Sequence, residues 1–160
     1  MRTFNITDYG AVESDLLQTK AIQAAIDDCF LAGGGEVVIP AGVYRTGGIR
    51  IRSNVTLHLL SGAILEGSRD PDDYNAWRED RLEPIDVPDK EPAKYRSATR
   101  TSRWNNAMIR AFDAHDFAII GEPGSIINGM NCFDPSGEEN YRGPHGINIW
   151  DCERVTLRGY

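Results

Sequence analysis

A few short stretches hold residues whose types and spacing bear on chemistry. Asp27-Asp28 and Asp72-Asp73 are adjacent carboxylates, the groups that acid–base work draws on. Gly143-Pro144-His145-Gly146 brings a histidine to the start of an apolar alternation, with Glu139 and Arg142 just upstream. An arginine there suits a carboxylate ligand, through paired charge-assisted hydrogen bonds. A histidine can bond a hydroxyl or a carboxylate, according to its protonation. Each has a plainer reading. His145 can be a hydrogen-bonded residue where a strand enters its turn, and Arg142 can pair with Glu138 or Glu139 inside its own loop, which contributes little.

Other signals are weaker. Asp70-Pro71-Asp72-Asp73 lacks the ligand spacing of a calcium loop and reads as a loop start. Cys29, Cys132 and Cys152 form no C-x-x-C pair, so no disulfide framework and no zinc site is expected. Asn5-Ile6-Thr7 and Asn54-Val55-Thr56 match the glycosylation sequon but sit in or beside expected strands. No metal and no cofactor is expected.

The elements that must position these residues announce themselves by period. Ile22, Ala25, Ile26 and Cys29 recur at helical spacing, which predicts a one-sided helix over 19–31. Thr19 is its expected N-cap, and Gly33-Gly34-Gly35 its stop. Val37-Val38-Ile39 and Val43-Tyr44-Arg45 then read as short strands about a Pro40-Ala41-Gly42 turn.

From Ile49 the chain repeats itself. Ile49-Arg50-Ile51, Val55-Thr56-Leu57 and Ile64-Leu65 are echoed by Ile109-Arg110-Ala111, Phe117-Ala118-Ile119 and Ile126-Ile127. Ile147-Asn148-Ile149 and Val155-Thr156-Leu157 begin a third copy. Val55 to Ile64 is nine residues, as is Phe117 to Ile126. Ile109 to Ile147 is 38 residues, of which a Gly/Pro/polar stretch of 14 is set aside, leaving a period of 24. Repetition on that scale signals a stacked architecture. Strands so short, joined so briefly, describe a parallel β-helix whose coils lie about 4.8 Å apart. Alternation sends Ile109, Ala111, Phe117, Ile119, Ile147, Ile149, Val155 and Leu157 inward, and Arg110, Asn148, Thr156 and Arg158 outward. Phe112 and Trp150 also point out, to stack on a sugar ring or to pack under a loop, with packing favoured. The helix covers the bare edge of the first coil.

The repeat breaks at 68–105, which carries nine Asp/Glu, eight Lys/Arg and four of the eight prolines. Its aromatics, Tyr74, Trp77, Tyr95 and Trp104, favour a wall folded over one face rather than a solvated loop.

Composition sets outer bounds. The 160 residues carry 17 Lys+Arg against 24 Asp+Glu, a charge of −7, which argues against nucleic acid and anionic membrane as partners. A hydrophobic fraction of 41% is too high for a disordered chain. No apolar run is long enough to span a bilayer, and no apolar stretch marks a signal peptide, so a cytoplasmic location is expected unless a leader has been removed.

Phe4-Asn5-Ile6-Thr7-Asp8-Tyr9-Gly10-Ala11, the helix from Thr19, Gly33-Gly34-Gly35-Glu36-Val37-Val38-Ile39-Pro40-Ala41-Gly42-Val43-Tyr44, and Ile126-Ile127-Asn128-Gly129 resemble the N-terminal part of the pectin-lyase-like superfamily. The match is nearest to glycoside hydrolase family 28, the polygalacturonases and their relatives. The resemblance implies a right-handed parallel β-helix that hydrolyses galacturonan-type polysaccharide with inversion and without metal. A polysaccharide lyase or a glycan-binding tailspike on the same fold are the alternatives. The family's catalytic signatures, N-x-D, D-D, G-H-G and R-x-K, have no match at a strand start here. Asp27-Asp28 falls on the helix and Asp72-Asp73 in the excursion, so neither takes the catalytic role. The catalytic coils are expected beyond Tyr160, and the segment alone is expected to be inactive. In the family N-x-D runs into a strand of the form G-I-D-I. Gly146-Ile147-Asn148-Ile149 has that form, with His145 in the place of the catalytic Asp. The resemblance therefore puts His145, Arg142 and Glu139 on the substrate groove, rungs before the catalytic centre, with the equivalent slot one coil earlier near Asn106-Ala107.

Overall fold

A computed structural model describes residues 1–75, 106–133 and 143–160. The chain opens with β1 (Thr3–Asn5), a 3-10 turn (Ile6–Tyr9) and α1 (Thr19–Leu31). Three strands follow, β2 (Gly35–Ile39), β3 (Gly42–Thr46) and β4 (Ile49–Ile51), and the cycle repeats as β5 (Val55–Leu59), β6 (Ala63–Gly67) and β7 (Ala107–Phe112). It repeats again as β8 (Ala118–Gly121), β9 (Ile126–Asn128) and β10 (His145–Trp150), and β11 (Thr156–Arg158) opens a further coil.

Every third strand joins the same sheet, and all pairings are parallel. The first sheet runs β1-β2-β5-β8-β11, the second β3-β6-β9, and the third β4-β7-β10. This is a right-handed parallel β-helix. The pairing puts Ile49 opposite Ile109, Ile109 opposite Ile147, and Ile64 opposite Ile126, the register that the repeated triplets require.

One coil escaped the repeat reading. β2 and β3 form a full turn below the first recognised copy, with Gly35 opposite Val55 and Gly42 opposite Ala63. That coil is 20 to 21 residues long by those pairings, shorter than the 24 inferred from the later copies. Its tighter corners account for the difference, most of all the three residues that join β4 to β5 where five join β7 to β8.

The core is a set of stacked ladders. Val37, Leu57 and Ile119 lie in register and are 0%, 0% and 1% exposed, but Leu157 on the next rung is 42% exposed. Burial thus fades toward β11, and Ile147, Ile149 and Val155 are half-buried. Leu157 has inward parity but is uncovered because no described coil stacks above it. Arg110 departs the other way. It has outward parity yet is buried at 3%, so outward position on the third sheet does not mean exposure.

Each N-terminal sheet edge is satisfied. β1 pairs with β2 and closes the first sheet. Ser14 bridges Tyr44, and the Gln18 N–H donates to Arg45 O at 2.7 Å, beside the second. At the third, the Gln23 side chain stands in for a strand: its Oε1 accepts from Arg50 N (2.8 Å) and its Nε2 donates to Arg50 O (3.1 Å). Ile22, Ala25, Ile26 and Cys29 of α1 are fully buried over the open core.

The expected N-cap is corrected. Gln18 precedes α1 without a side-chain cap bond. Thr19 instead accepts from the Gly47 N–H at 2.8 Å, tying the helix to the β3–β4 corner. The glycine stop is sterically required. A Cβ on Gly34 would stand 2.5 Å from Asn54 O, and φ is +109°.

Candidate substrate-binding face

The repeat is interrupted twice, and both interruptions fall at one corner. The 68–105 excursion lies between β6 and β7, and the stretch before Gly143 lies between β9 and β10. Each leaves the second sheet and re-enters the third. Both breaks therefore fall at the same corner of successive coils, between the second sheet and the third. Such insertions are where a solenoid carries its function.

The foot of the first insertion is a built structure. Pro71–Tyr74 forms a 3-10 turn capped by the Asp70 carboxylate, which accepts from Asp72 N. The turn sits on Gly47-Gly48, where a Cβ on Gly47 would meet Asp73 O at 2.2 Å, and the Gly48 N–H donates to that same oxygen at 3.0 Å. Tyr74 is buried and its hydroxyl donates to Ser68 O. Burial first, then the nearby Cys132 and Asp73, push that phenol well above its ordinary value. A cleft of about 500 Å³ opens beside this foot, lined by Asp15, Arg45, Ser68, Arg69, Asp73 and Met130 among others. Arg45 is held by Glu66 at 2.9 Å, while Arg69 is exposed.

His145 opens β10. Its backbone N–H donates to Asn106 O at 2.9 Å, and it pairs in register with Ala107. Arg142, Glu138 and Glu139 lie outside the described residues, as do Trp77, Tyr95 and Trp104. The two acidic pairs are engaged elsewhere. Asp27 accepts from Arg52 Nε at 3.1 Å and Asp28 from the Tyr9 hydroxyl at 3.1 Å. Asp73 accepts from the Ser68 hydroxyl. Among the described residues no cluster of His, Cys, Asp and Glu is placed to hold a metal ion.

A row across the third sheet was not singled out from the sequence. Arg50, Arg110 and Asn148 are stacked in register on its outer face. The signal was present in the repeat, since offsets of 60 and then 38 residues superpose them. Alongside, Phe112 is buried at 8% and Trp150, in register above it, is 44% exposed.

Comparison with known proteins bears on what such a face binds. No family model matches the chain. Over 74 residues, 46% of this chain, the sequence is 46% identical to the exo-poly-alpha-D-galacturonosidase of Dickeya chrysanthemi, covering 12% of that enzyme. The solved family 28 exopolygalacturonase of Yersinia enterocolitica superposes with a TM-score of 0.58 and 32% identity, over 80% of this chain and 21% of its own. The chain is a relative of the family 28 exopolygalacturonases. Its β-helix is of the pectin-lyase-like kind. A second group of relatives includes mannuronan C5-epimerase AlgE5 of Azotobacter vinelandii, 41% identical over 66 residues, which is 41% of this chain and 7% of that protein. The chain thus spans only a small part of the relatives that it matches.

Proposed function

We propose that this chain is the cap and first coils of a glycoside hydrolase that cleaves galacturonan-type pectic polysaccharide with inversion. The observation that carries the proposal is the 46% identity to an exo-poly-alpha-D-galacturonosidase, on a β-helix whose repeat is interrupted twice at one corner. Inversion requires a carboxylic acid to protonate the leaving oxygen and a carboxylate about 6.5–9.5 Å away to activate water. Adjacent rungs about 4.8 Å apart suit that separation, within one coil step and the next. The carboxylate pairs of this chain are committed to α1 and to the insertion foot, so the proposal assigns the reacting pair to later coils of the third sheet. Arg142, His145 and Glu139 then serve substrate binding on earlier rungs of the same groove. Arg142 holds a uronate carboxylate, and His145 a hydroxyl or carboxylate. The length of the 68–105 excursion favours exo action.

The 160-residue chain alone is expected to release no reducing sugar from polygalacturonate, and the full-length protein that carries it to do so. In that protein Arg142→Ala raises KM for oligogalacturonides at unchanged kcat. Unchanged affinity removes Arg142 from the site. The identity to a mannuronan C5-epimerase favours a second reading, action on a mannuronate polymer by epimerisation or lyase chemistry. An altered uronate composition, or an unsaturated product, on polymannuronate identifies it.

A further inference from the structure

The cleft beside the insertion foot is built by successive coils. Asp15 and Leu17 precede α1, Arg45 lies on β3, Ser68 to Asp73 follow β6, and Met130 follows β9. None of its lining residues lies on the third sheet, so it stands apart from β10 and His145. Its volume of about 500 Å³ is that of a small-molecule pocket. Its walls are held by their own bonds. Ser68 is 5% exposed; its hydroxyl donates to the Asp73 carboxylate and accepts from the Asp70 N–H at 3.0 Å. Arg45 is taken up by Glu66 at 2.9 Å and faces Asp15 at 3.7 Å. Arg69 differs. It is exposed, and its backbone carbonyl accepts from the Cys132 thiol, but among the described residues its guanidinium makes no hydrogen bond and no ion pair.

We propose that this cleft binds a sugar acid, with Arg69 on its carboxylate. The charge pattern selects the class. Ionised Asp15, Asp70 and Asp73 only accept hydrogen bonds, so they call for donors, and a hydroxyl bonds strongly to a carboxylate. The Arg69 fork calls for a planar carboxylate. Inorganic sulfate brings a double charge and no donor to three carboxylates. A neutral sugar leaves the guanidinium unmatched. A uronate pyranose has one carboxylate and a ring of hydroxyls, and meets both demands. Walls already held in place lower the ordering cost of binding it. The cleft and its call for a single carboxylate stand on the geometry, whereas the choice of galacturonate over other uronates rests on the function proposed above.

The test is calorimetric titration of the 160-residue chain with digalacturonate, with galactobiose, dimannuronate and inorganic sulfate as comparison probes. Far-UV circular dichroism and the thermal midpoint check folding of each variant. Digalacturonate is expected to bind, and to bind less as salt rises. Galactobiose and sulfate are expected to bind at least about tenfold more weakly. Arg69→Ala is expected to weaken digalacturonate by at least about tenfold, and Arg69→Lys by less, since an ammonium keeps the charge and loses the fork. Leu17→Trp, at a position 41% exposed, puts bulk into the cleft and is expected to abolish binding. Dimannuronate bound more tightly than digalacturonate, and lost in Arg69→Ala, upholds the cleft and counts against the galacturonan reading. Digalacturonate binding unchanged in both Arg69→Ala and Leu17→Trp overturns the cleft and leaves that reading standing. Galactobiose bound as tightly as digalacturonate, or a wild-type chain that binds neither uronate, overturns the proposal.

Discussion

Single residues at the corners of the coil carry more constraint than their exposure suggests. Asn54, Asp116 and Arg154 occupy equivalent positions between the third and first sheets, each with positive φ: +62°, +55° and +52°. Asn and Asp tolerate this region, whereas an arginine has no local compensation for it. Arg154 is tied down instead by Asp116, one rung below, through bonds of 2.6 and 2.8 Å. That guanidinium, with His115 at 2.9 Å, holds the Asp116 carboxyl well below the usual carboxylate range. A carboxyl depressed on folding adds stability above its unfolded value of about 3.9, and that contribution is lost as pH falls through the folded value. Asp116→Asn is therefore expected to lower stability slightly at neutral pH and to leave the most acidic region unchanged, which flattens the acid limb of a pH–stability profile. The pair is exposed, so the effect is small. Cys29 behaves oppositely. Burial pushes its thiol up to about 11, so under native conditions an alkylating reagent is expected to modify the half-buried Cys132 and Cys152 and to spare Cys29, as read by peptide mass mapping.

Elements show what a repeat reveals and what it conceals. The interior positions Ile109, Ala111, Phe117 and Ile119 were legible because alternation and a constant offset superpose them, and all four are buried. The coil formed by β2 and β3 was not read as a copy, because its corners are shorter, three residues joining β4 to β5 where five join β7 to β8, and so it falls off the apparent period. Thr19 looked like a cap because a threonine before an apolar stripe usually is one, but its hydroxyl is claimed by a backbone N–H from another coil. Long-range partners of that kind leave no local trace. The same holds for Gln23, one glutamine among ordinary helix residues, whose amide completes β4. Gln23→Ala removes three hydrogen bonds, two of them to β4, and leaves the β4 edge bare, an expected loss of about 1–3 kcal/mol in denaturant unfolding, with concentration-dependent association on a sizing column. Gly34→Ala brings a Cβ within 2.5 Å of Asn54 O at a φ of +109°, and is expected to cost about 1–3 kcal/mol by the same measurement.

At the scale of the molecule, the two ends differ. The N-terminal end is sealed by β1, Gln18 and Gln23 beneath α1. The other end presents β9, β10 and β11, with Ile126, Trp150 and Leu157 at 47%, 44% and 42% exposure. Both interruptions of the repeat fall at one corner, between the second sheet and the third. The fold was legible in the sequence because stacking needs nothing more specific than apolar residues at set intervals. The place of His145 opposite Ala107 follows from the repeat, whereas the burial of Arg110 and Phe112 depends on what covers β7, a property no repeat encodes. The most direct test of the account is the anomeric form of the first sugar released from polygalacturonate by the full-length protein, followed by proton NMR before mutarotation. The account predicts the β-anomer, from direct displacement by water on an α-linked galacturonan. Release of the α-anomer, or of an unsaturated product, contradicts it.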